Sequence, residues 1–128
     1  MNYVIDASAW IEYFNGSKEG EKVKEVVENE IHKIYTNVIT FAELASFFRR
    51  KEHDFQKAKE MIISLSSWYA LDPLFAQEAG ELLVEMKKTR KKIGLADILV
   101  LLTARKVEGK VVTADQDFKG LKETLLIS

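Results

Sequence analysis

The stretch from Gly94 to Phe118 restricts the possible folds of this chain more than any other. It begins with an apolar helix pattern that contains one acid, Asp97, and continues into a β-branched strand pattern, Val111–Thr113. Two further acids, Asp115 and Asp117, follow that strand directly. A carboxylate within an apolar helix is expensive to remove from water unless another group compensates its charge. A bound cation is one such group, and acids at a strand end are a natural place for it.

Strand patterns alternate with helix patterns along the whole chain. The predicted strands are Tyr3–Ile5, Lys33–Asn37, Trp68–Leu71, Val111–Thr113 and Leu125–Ile127. The predicted helices are Ala7–Phe14, Glu19–Ile31, Ile39–Arg50, Phe55–Leu65, a helix that begins at Asp72-Pro73 and ends in the basic segment Lys87–Lys92, and the helix after Gly94. This alternation predicts an α/β fold with a mainly parallel sheet and helices on both of its faces.

Length and composition limit the class of protein. A chain of 128 residues, 47% hydrophobic and 30% charged, is typical of a soluble protein with one domain, here residues 1–128. No apolar run approaches the roughly 20 residues that cross a membrane, so we expect a cytoplasmic protein. The absence of cysteine excludes thiolate ligands, and His32 and His53 both lie in polar surroundings, which argues against a histidine zinc site. Any metal would therefore be held by oxygen ligands.

Two acids follow predicted strands and are expected to meet at one edge of the sheet. Asp6 follows the first strand and Asp115 the fourth, and open α/β sheets bind ligands beyond the carboxyl ends of their strands. Taken alone, each of these acids is explained as well, or better, by capping the helical turn after it. Asp72 is explained fully as the cap of a helix with Pro73 at its first position, so we leave it out of the site.

Glu43 is harder to explain by local structure. It lies within an apolar helix pattern, and none of its neighbours three and four residues away is a cation. Arg50, two turns later, is the nearest cation on the same face and would be its structural partner. A partly exposed Glu43 would need no partner.

The acids together are more informative than any one of them. Carboxylates gathered at one edge would repel one another without a cation, and the candidates are Asp6, Glu43, Asp97, Asp115 and Asp117. A site made only of oxygen ligands suits Mg²⁺ or Mn²⁺, which also bind phosphate. Hydrolysis of a phosphodiester suits such a site, because the metal lowers the pKa of bound water and neutralises the charge that develops on phosphorus oxygens.

Four motifs resemble those of a known family. They are Val-Ile-Asp-Ala-Ser with Asp6, Phe-Ala-Glu with Glu43, Leu-Ala-Asp-Ile with Asp97, and Val-Val-Thr-Ala-Asp-Gln-Asp-Phe with Asp115 and Asp117. Their order across the whole chain resembles the PIN-domain ribonucleases, and within them the VapC-like toxins of prokaryotic VapBC toxin–antitoxin pairs. The resemblance implies a three-layer α/β/α sandwich of the Rossmann-like or flavodoxin-like kind.

The resemblance also implies roles for individual residues. The catalytic carboxylates would be Asp6, Glu43, Asp97 and Asp115. The ligands of Mg²⁺ or Mn²⁺ would be Asp6, Asp97, Asp115 and Asp117, with Asp117 the most variable, and the supporting hydroxyls would be Ser8 and Thr113. Members of the family cleave RNA, usually as homodimers, and are silenced by a cognate VapB-like antitoxin.

Basic residues are candidate contacts for the RNA backbone, which an acidic pocket repels. The segment Lys87–Lys92 precedes the Asp97 helix, and we expect Lys88, Arg90 and Lys91 to bind phosphates. A solvated helix end, stabilised by the helix dipole, explains this segment equally well. Arg49 and Arg50 form a second basic patch.

Aromatic residues raise a related choice. The predicted helix Ala7–Phe14 is rich in aromatics, which usually belong to the core, but in a toxin they would line a groove for the antitoxin. If Phe47 and Phe48 are exposed, they would serve that groove or a dimer interface.

Other functions stay open at this point. An aspartyl-phosphate phosphotransferase also places acids at strand ends, but many of these enzymes need a second acid two residues after the first, where this chain has Ser8. A receiver-type signalling domain would use a phosphoacceptor Asp on a central strand and a lysine near its end. The strand that ends at Asp72 does not show this arrangement. A housekeeping RNA-processing nuclease and a non-catalytic RNA-binding subunit with a vestigial metal site are the two further alternatives.

Overall fold

A five-stranded parallel sheet forms the centre of the protein in the computed structural model, which describes residues 1–128. The strands are β1 Asn2–Ile5, β2 Lys33–Asn37, β3 Ser67–Tyr69, β4 Lys110–Thr113 and β5 Thr124–Leu126. Their order is β3-β2-β1-β4-β5, and each neighbouring pair is parallel. The predicted α/β fold is therefore confirmed, with a sheet that is parallel throughout.

Six α-helices cover the two faces of this sheet. They are α1 Ala7–Asn15, α2 Lys18–Val27, α3 Val38–Arg50, α4 Gln56–Leu65, α5 Pro73–Lys87 and α6 Leu95–Lys106, with a 3-10 turn at Gln116–Phe118. Val4 and Val111 pack into one apolar core with α5 and α6, whereas Ile5 and Val112 pack into a second core with α1 to α4. Because side chains alternate across a strand, these two cores lie on opposite faces, and the three-layer sandwich is confirmed.

Helix α6 is buried around most of its circumference. Every residue from Ile98 to Ala104 is buried, so no polar face is present in this part of the helix. Asp97 comes one residue before this buried segment, in the first helical turn. The core packing of α6 therefore fixes where the Asp97 carboxylate lies. No helix of the protein is both long and apolar enough to span a membrane.

The order of the strands reverses beside β1, between β1 and β4. Strands β1 and β4 are neighbours, with Ile5 opposite Val112, although most of the chain lies between them. The Asp6 N–H continues the pairing by donating to the Val112 carbonyl at 3.0 Å. Open parallel sheets bind ligands at such a reversal, beyond the carboxyl ends of the strands.

Two predicted helices are too long. Helix α2 ends at Val27 rather than at Ile31, which is 79% exposed, because the Asn29 side chain accepts the Ile31 N–H at 3.1 Å and starts a turn. Helix α5 ends at Lys87, and the rest of the basic segment turns back toward α6. The predicted start of α5 is confirmed, since the Asp72 carboxylate caps the Phe75 N–H at 2.8 Å and Pro73 is at the first helical position.

Candidate active site

Three carboxylates converge at the edge of the sheet where the strand order reverses. Asp97 comes from the first turn of α6, and Asp115 and Asp117 come from the loop after β4. One oxygen atom from each of the three lies within 4.8 Å of the others. This spacing would let one small cation contact all three carboxylates.

The Asp97 carboxylate is held in place at the N-terminus of α6. Its Oδ2 accepts the Gly94 N–H at 2.9 Å, which satisfies one of the free donors at the start of the helix. Burial is the largest cause that raises the pKa of Asp97, and the charges of Asp115, Asp6 and Asp117 raise this pKa further. The hydrogen bond from Gly94 opposes this rise. The charged groups that raise the pKa of Asp97 are thus all carboxylates of the same candidate site.

Asp115 combines a capping role with its place in the cluster. Its Oδ1 accepts the Asp117 N–H at 2.9 Å and thereby caps the 3-10 turn Gln116–Phe118. The same bond sets the separation between the two acids, since it joins the side chain of one to the backbone of the other. The capping explanation suggested by the sequence is therefore correct for Asp115, and it does not exclude a role in the site.

Asp6 is the most buried of the acids, with 7% of its surface exposed. It does not cap α1, because its side chain makes no capping hydrogen bond. Instead its Oδ2 accepts the hydroxyl protons of Thr113 at 2.7 Å and Ser8 at 3.0 Å. Burial raises the pKa of Asp6, and these two hydrogen bonds oppose the rise.

The two hydroxyls also accept hydrogen bonds from the loop after β4. The Thr113 oxygen accepts the Asp115 N–H at 3.0 Å, and the Ser8 oxygen accepts the Ala114 N–H at 3.0 Å. Ser8 and Thr113 therefore connect Asp6 to the backbone that carries Asp115. The sequence predicts these hydroxyls beside the site, and the structure places both there.

Glu43 extends from α3 toward the same acids. Although the residue as a whole is exposed, partial burial of its carboxyl is the largest cause that raises its pKa to about 7, and the charges of Asp6 and Asp97 contribute. It forms no ion pair with Arg50, the partner considered from the sequence. Its position and its raised pKa make it a candidate for proton transfer in the site.

No basic side chain neutralises this group of acids. The three ion pairs of the protein join Lys88 to Glu85, Arg105 to Glu123 and Lys106 to Glu78, all away from the cluster. The charges of neighbouring acids raise the pKa values of Asp97 and Glu43, so the acids form an arrangement that a cation would stabilise. The residues present therefore fit a divalent metal with oxygen ligands.

The predicted site residues fall into two groups. Asp97, Asp115 and Asp117 form the compact set, whereas Asp6 and Glu43 lie outside it but interact electrostatically with its members. One residue that the sequence reasoning missed is Asn37, which caps α3 through its Oδ1 and donates from Nδ2 to the Thr103 hydroxyl at 3.0 Å. This buried contact holds the helix of Glu43 against that of Asp97, and an Asn just before an apolar helix is the signal that could have found it.

The basic segment before α6 borders the cluster. A cleft of about 210 Å³ is lined by Arg90, Lys91, Lys92, Ile93, Gln116 and Asp117. Lys88, by contrast, pairs with Glu85 on the exposed end of α5. Arg49 and Arg50 are exposed at the end of α3 and form no ion pair.

An apolar cleft of about 410 Å³ opens between the ends of α1 and α3. Four of its lining residues are hydrophobic, namely Ile11, Phe14, Phe47 and Phe48. Phe47 and Phe48 are half-buried rather than exposed, because each packs against another ring. The ring centroid of Phe48 lies 6.1 Å from that of Phe14 and 5.9 Å from that of Phe47. Lys51 and His53 give this cleft a basic and polar rim.

A parallel sheet with carboxylates gathered at its carboxyl edge defines an α/β protein with a candidate metal site. The chain matches the family model described as PIN domain over residues 3–123. The chain therefore belongs to the PIN domain family, as the motifs predicted. No curated protein sequence matches the chain.

Solved structures with a similar fold include several toxin–antitoxin proteins. VapBC2 from Rickettsia felis, bound to a DNA fragment from its promoter, is 20% identical with a TM-score of 0.74, over 98% of this chain and 97% of that chain. VapC20 from Mycobacterium tuberculosis, described as a toxin that cleaves the sarcin-ricin loop, is 15% identical with a TM-score of 0.75, over 94% and 95%. DNA-bound VapBC from Salmonella typhimurium is 17% identical with a TM-score of 0.72, over 100% and 99%.

Proposed function

We propose that this protein is an endoribonuclease that depends on Mg²⁺ or Mn²⁺ and acts as the toxin of a type II toxin–antitoxin pair. The observation that carries the proposal is the convergence of Asp97, Asp115 and Asp117 within 4.8 Å at the edge of the sheet, with no basic partner. Family membership supports the nuclease class, and the similar fold of the VapC proteins supports the toxin role.

The acids would divide the work of the reaction. Asp97, Asp115 and Asp117 would hold the metal, and Asp6 would join them directly or through water. When bound, the metal would lower the pKa of a water molecule and neutralise charge on the phosphate. Glu43, which extends from α3 toward the same acids, would orient the attacking water.

The hydroxyls of Ser8 and Thr113 would serve the reaction by holding Asp6. Both donate to the same oxygen of Asp6, so the orientation of that carboxyl is fixed before a metal or substrate arrives. Such preorganisation avoids the cost of reorienting the carboxylate during the reaction.

RNA would approach the acids across the basic segment. Arg90, Lys91 and Lys92 border the same cleft as Asp117, so a phosphate bound there would lie beside the cluster. Lys88, Arg49 and Arg50 do not line this cleft and would contact flanking phosphates. The acids repel the RNA backbone, and these cations would offset that repulsion.

The apolar cleft between α1 and α3 is our candidate site for the antitoxin. An amphipathic segment of a VapB-like partner would place apolar side chains against Phe14, Phe47 and Phe48. The solved structures from Rickettsia felis and Salmonella typhimurium contain VapBC, the toxin with its antitoxin, which supports a partner of this kind. We also expect a homodimer in the cytoplasm.

The proposal is tested by comparing the wild-type protein with Asp6→Asn in an RNA cleavage assay with added Mg²⁺ or Mn²⁺. We expect cleavage that EDTA abolishes and that Asp6→Asn lowers by roughly two orders of magnitude or more. Glu12→Gln, which removes an acid outside the site, is the matched control. Wild-type rates in the Asp6→Asn variant would overturn the assignment.

A separate measurement decides between a toxin and a housekeeping nuclease. Expression of the wild-type chain alone should arrest growth, and co-expression of a small protein encoded beside it should restore growth.

A further alternative is a non-catalytic RNA-binding subunit. Metal binding measured by calorimetry, together with no RNA cleavage, would indicate that alternative.

A further inference from the structure

Arg90 does not extend freely into solvent as a phosphate-binding side chain would. Its Nη1 donates to the carbonyl of Asp117 at 3.0 Å and to the carbonyl of Lys119 at 2.7 Å. Both carbonyls belong to the loop that carries two of the clustered acids. Arg90 is half-buried beneath this loop and forms no ion pair.

The backbone hydrogen bonds of the loop explain why it needs this side chain. The carbonyls of Asp115, Gln116 and Phe118 each accept a backbone N–H, as expected for a 3-10 turn that continues into a second turn. The carbonyls of Asp117 and Lys119 accept none. The hydrogen bond to the Asp117 carbonyl is partly buried and the one to the Lys119 carbonyl is exposed, and in both the Arg90 guanidinium supplies the donor that the turn itself lacks.

Gly120 completes the contact. Its φ of +88° lies in the left-handed region, and a Cβ atom there would stand 3.2 Å from Nη2 of Arg90. The chain therefore reverses over the guanidinium with no side chain between them. One guanidinium nitrogen, Nη1, reaches both carbonyls, because it carries two N–H donors.

We propose that Arg90 is a positioning residue, which fixes the turn Asp115–Lys119 and thereby the separation of the Asp115 and Asp117 carboxylates. This inference deepens the proposed function and rests on it, because it concerns the geometry of the same metal site. It assigns Nη1 of Arg90 to the protein backbone and leaves the phosphate contact to Lys91 and Lys92, which line the same cleft.

The test compares Arg90→Ala with Lys91→Ala, because both remove one positive charge from the same segment. In the metal-free protein, hydrogen exchange of the Phe118, Lys119 and Leu121 amides should accelerate by about tenfold or more in Arg90→Ala and stay unchanged in Lys91→Ala. Affinity for Mn²⁺, measured by calorimetry, should fall by about tenfold in Arg90→Ala only. Cleavage by Arg90→Ala should lose kcat with little change in KM, whereas Lys91→Ala should raise KM.

Two further variants show whether the effects of Arg90→Ala come from the turn itself or from general unfolding of the protein. Arg90→Lys, which keeps the charge and the N–H donors of a single nitrogen, should recover part of the lost protection and part of the Mn²⁺ affinity. Gly120→Ala should reproduce the faster exchange of the turn with every cation in place. If Arg90→Ala leaves exchange and Mn²⁺ affinity at wild-type values and raises KM as Lys91→Ala does, Arg90 is a phosphate contact and the inference is wrong.

The outcome separates this inference from the proposed function. If the wild-type protein neither binds Mn²⁺ nor cleaves RNA, the proposed function fails, and Arg90 loses its role toward a metal. The hydrogen-exchange comparison would still decide whether Arg90 holds the turn. If the wild-type protein binds Mn²⁺ and cleaves RNA while both Arg90 variants keep a protected turn, only the inference about Arg90 fails.

Discussion

The Thr113 hydroxyl donates to Oδ2 of Asp6 at 2.7 Å, and its oxygen accepts the Asp115 N–H at 3.0 Å. One side chain thus joins a buried carboxylate at the end of β1 to the backbone of the loop after β4. Thr113 and Asp6 are both almost completely buried, so the hydrogen bond between them does not compete with water. Positions far apart in the sequence are therefore connected by a single hydroxyl group at the candidate site.

Thr113→Val should be destabilising although it keeps the shape of the side chain. It removes the donor to a buried carboxylate and leaves the Asp115 N–H without its acceptor, so we expect a loss of about 1–3 kcal/mol in the free energy of unfolding. Urea titration of the metal-free protein measures this loss. Thr89→Val, at an exposed threonine without a side-chain hydrogen bond, is the control and should change stability by less than about 0.5 kcal/mol.

Asp97→Asn should stabilise the metal-free protein while it destroys the site. The amide removes a charge that Asp115, Asp6 and Asp117 repel, and its oxygen still accepts the Gly94 N–H. We expect a gain of roughly 0.5–2 kcal/mol in the free energy of unfolding. Added Mn²⁺ should raise the melting temperature of the wild-type protein but not that of Asp97→Asn. A variant that is both less stable than wild type and still stabilised by Mn²⁺ would contradict a metal role for Asp97.

Glu43→Gln should change how the stability of the metal-free protein depends on pH. The pKa of Glu43 in the folded protein is raised from the ordinary value of 4.5 to about 7. At pH values between these two, the folded state therefore binds more protons than the unfolded state. The free energy of unfolding should therefore fall as pH rises through this window, with the loss complete above pH 7. In Glu43→Gln this contribution to the slope should be absent. Chemical denaturation at several pH values, with EDTA present, measures it, and identical slopes in the two proteins would exclude the raised pKa.

Lys91→Ala combined with Lys92→Ala should weaken RNA binding without affecting metal binding. Both side chains line the cleft beside Asp117, and removing each phosphate-binding lysine should lower the slope of log Kd against log salt by about 0.7 for single-stranded RNA. The RNA affinity of these variants is measured at a series of salt concentrations, with Asp6→Asn added to each protein so that the RNA is not expected to be cleaved. Lys57→Ala combined with Lys59→Ala on α4 removes the same charge elsewhere and should leave the slope unchanged.

Local sequence patterns predicted most of the fold, because its elements have clear signals. Asp72-Pro73 defined the start of α5, and the alternation of strands with helices indicated parallel pairing with helices on both faces. The end of α2 was wrong because Asn29 makes a turn through its own side chain, a contact that apolar periodicity does not reveal. Errors of this kind concern single polar side chains that compete with the helix.

The acids of the candidate site were predictable as a set, whereas their detailed arrangement was not. Strand ends placed Asp6 and Asp115 at one edge, but the register of β1 against β4 decides that Thr113 reaches Asp6. The contact between Arg90 and the Asp117 carbonyl depends on how α5 ends and turns, which the basic segment alone does not indicate. Both contacts join residues distant in sequence, and such pairs leave no periodic pattern along the chain.

The burial of α6 has a consequence for how the activity of this protein can be controlled. The buried segment Ile98–Ala104 can neither rotate nor slide without opening the core, so the backbone that carries Asp97 is fixed. Moving that backbone away from the site would require partial unfolding. A partner that covers the acids would therefore act without rearranging this helix, and its dissociation would restore the site unchanged.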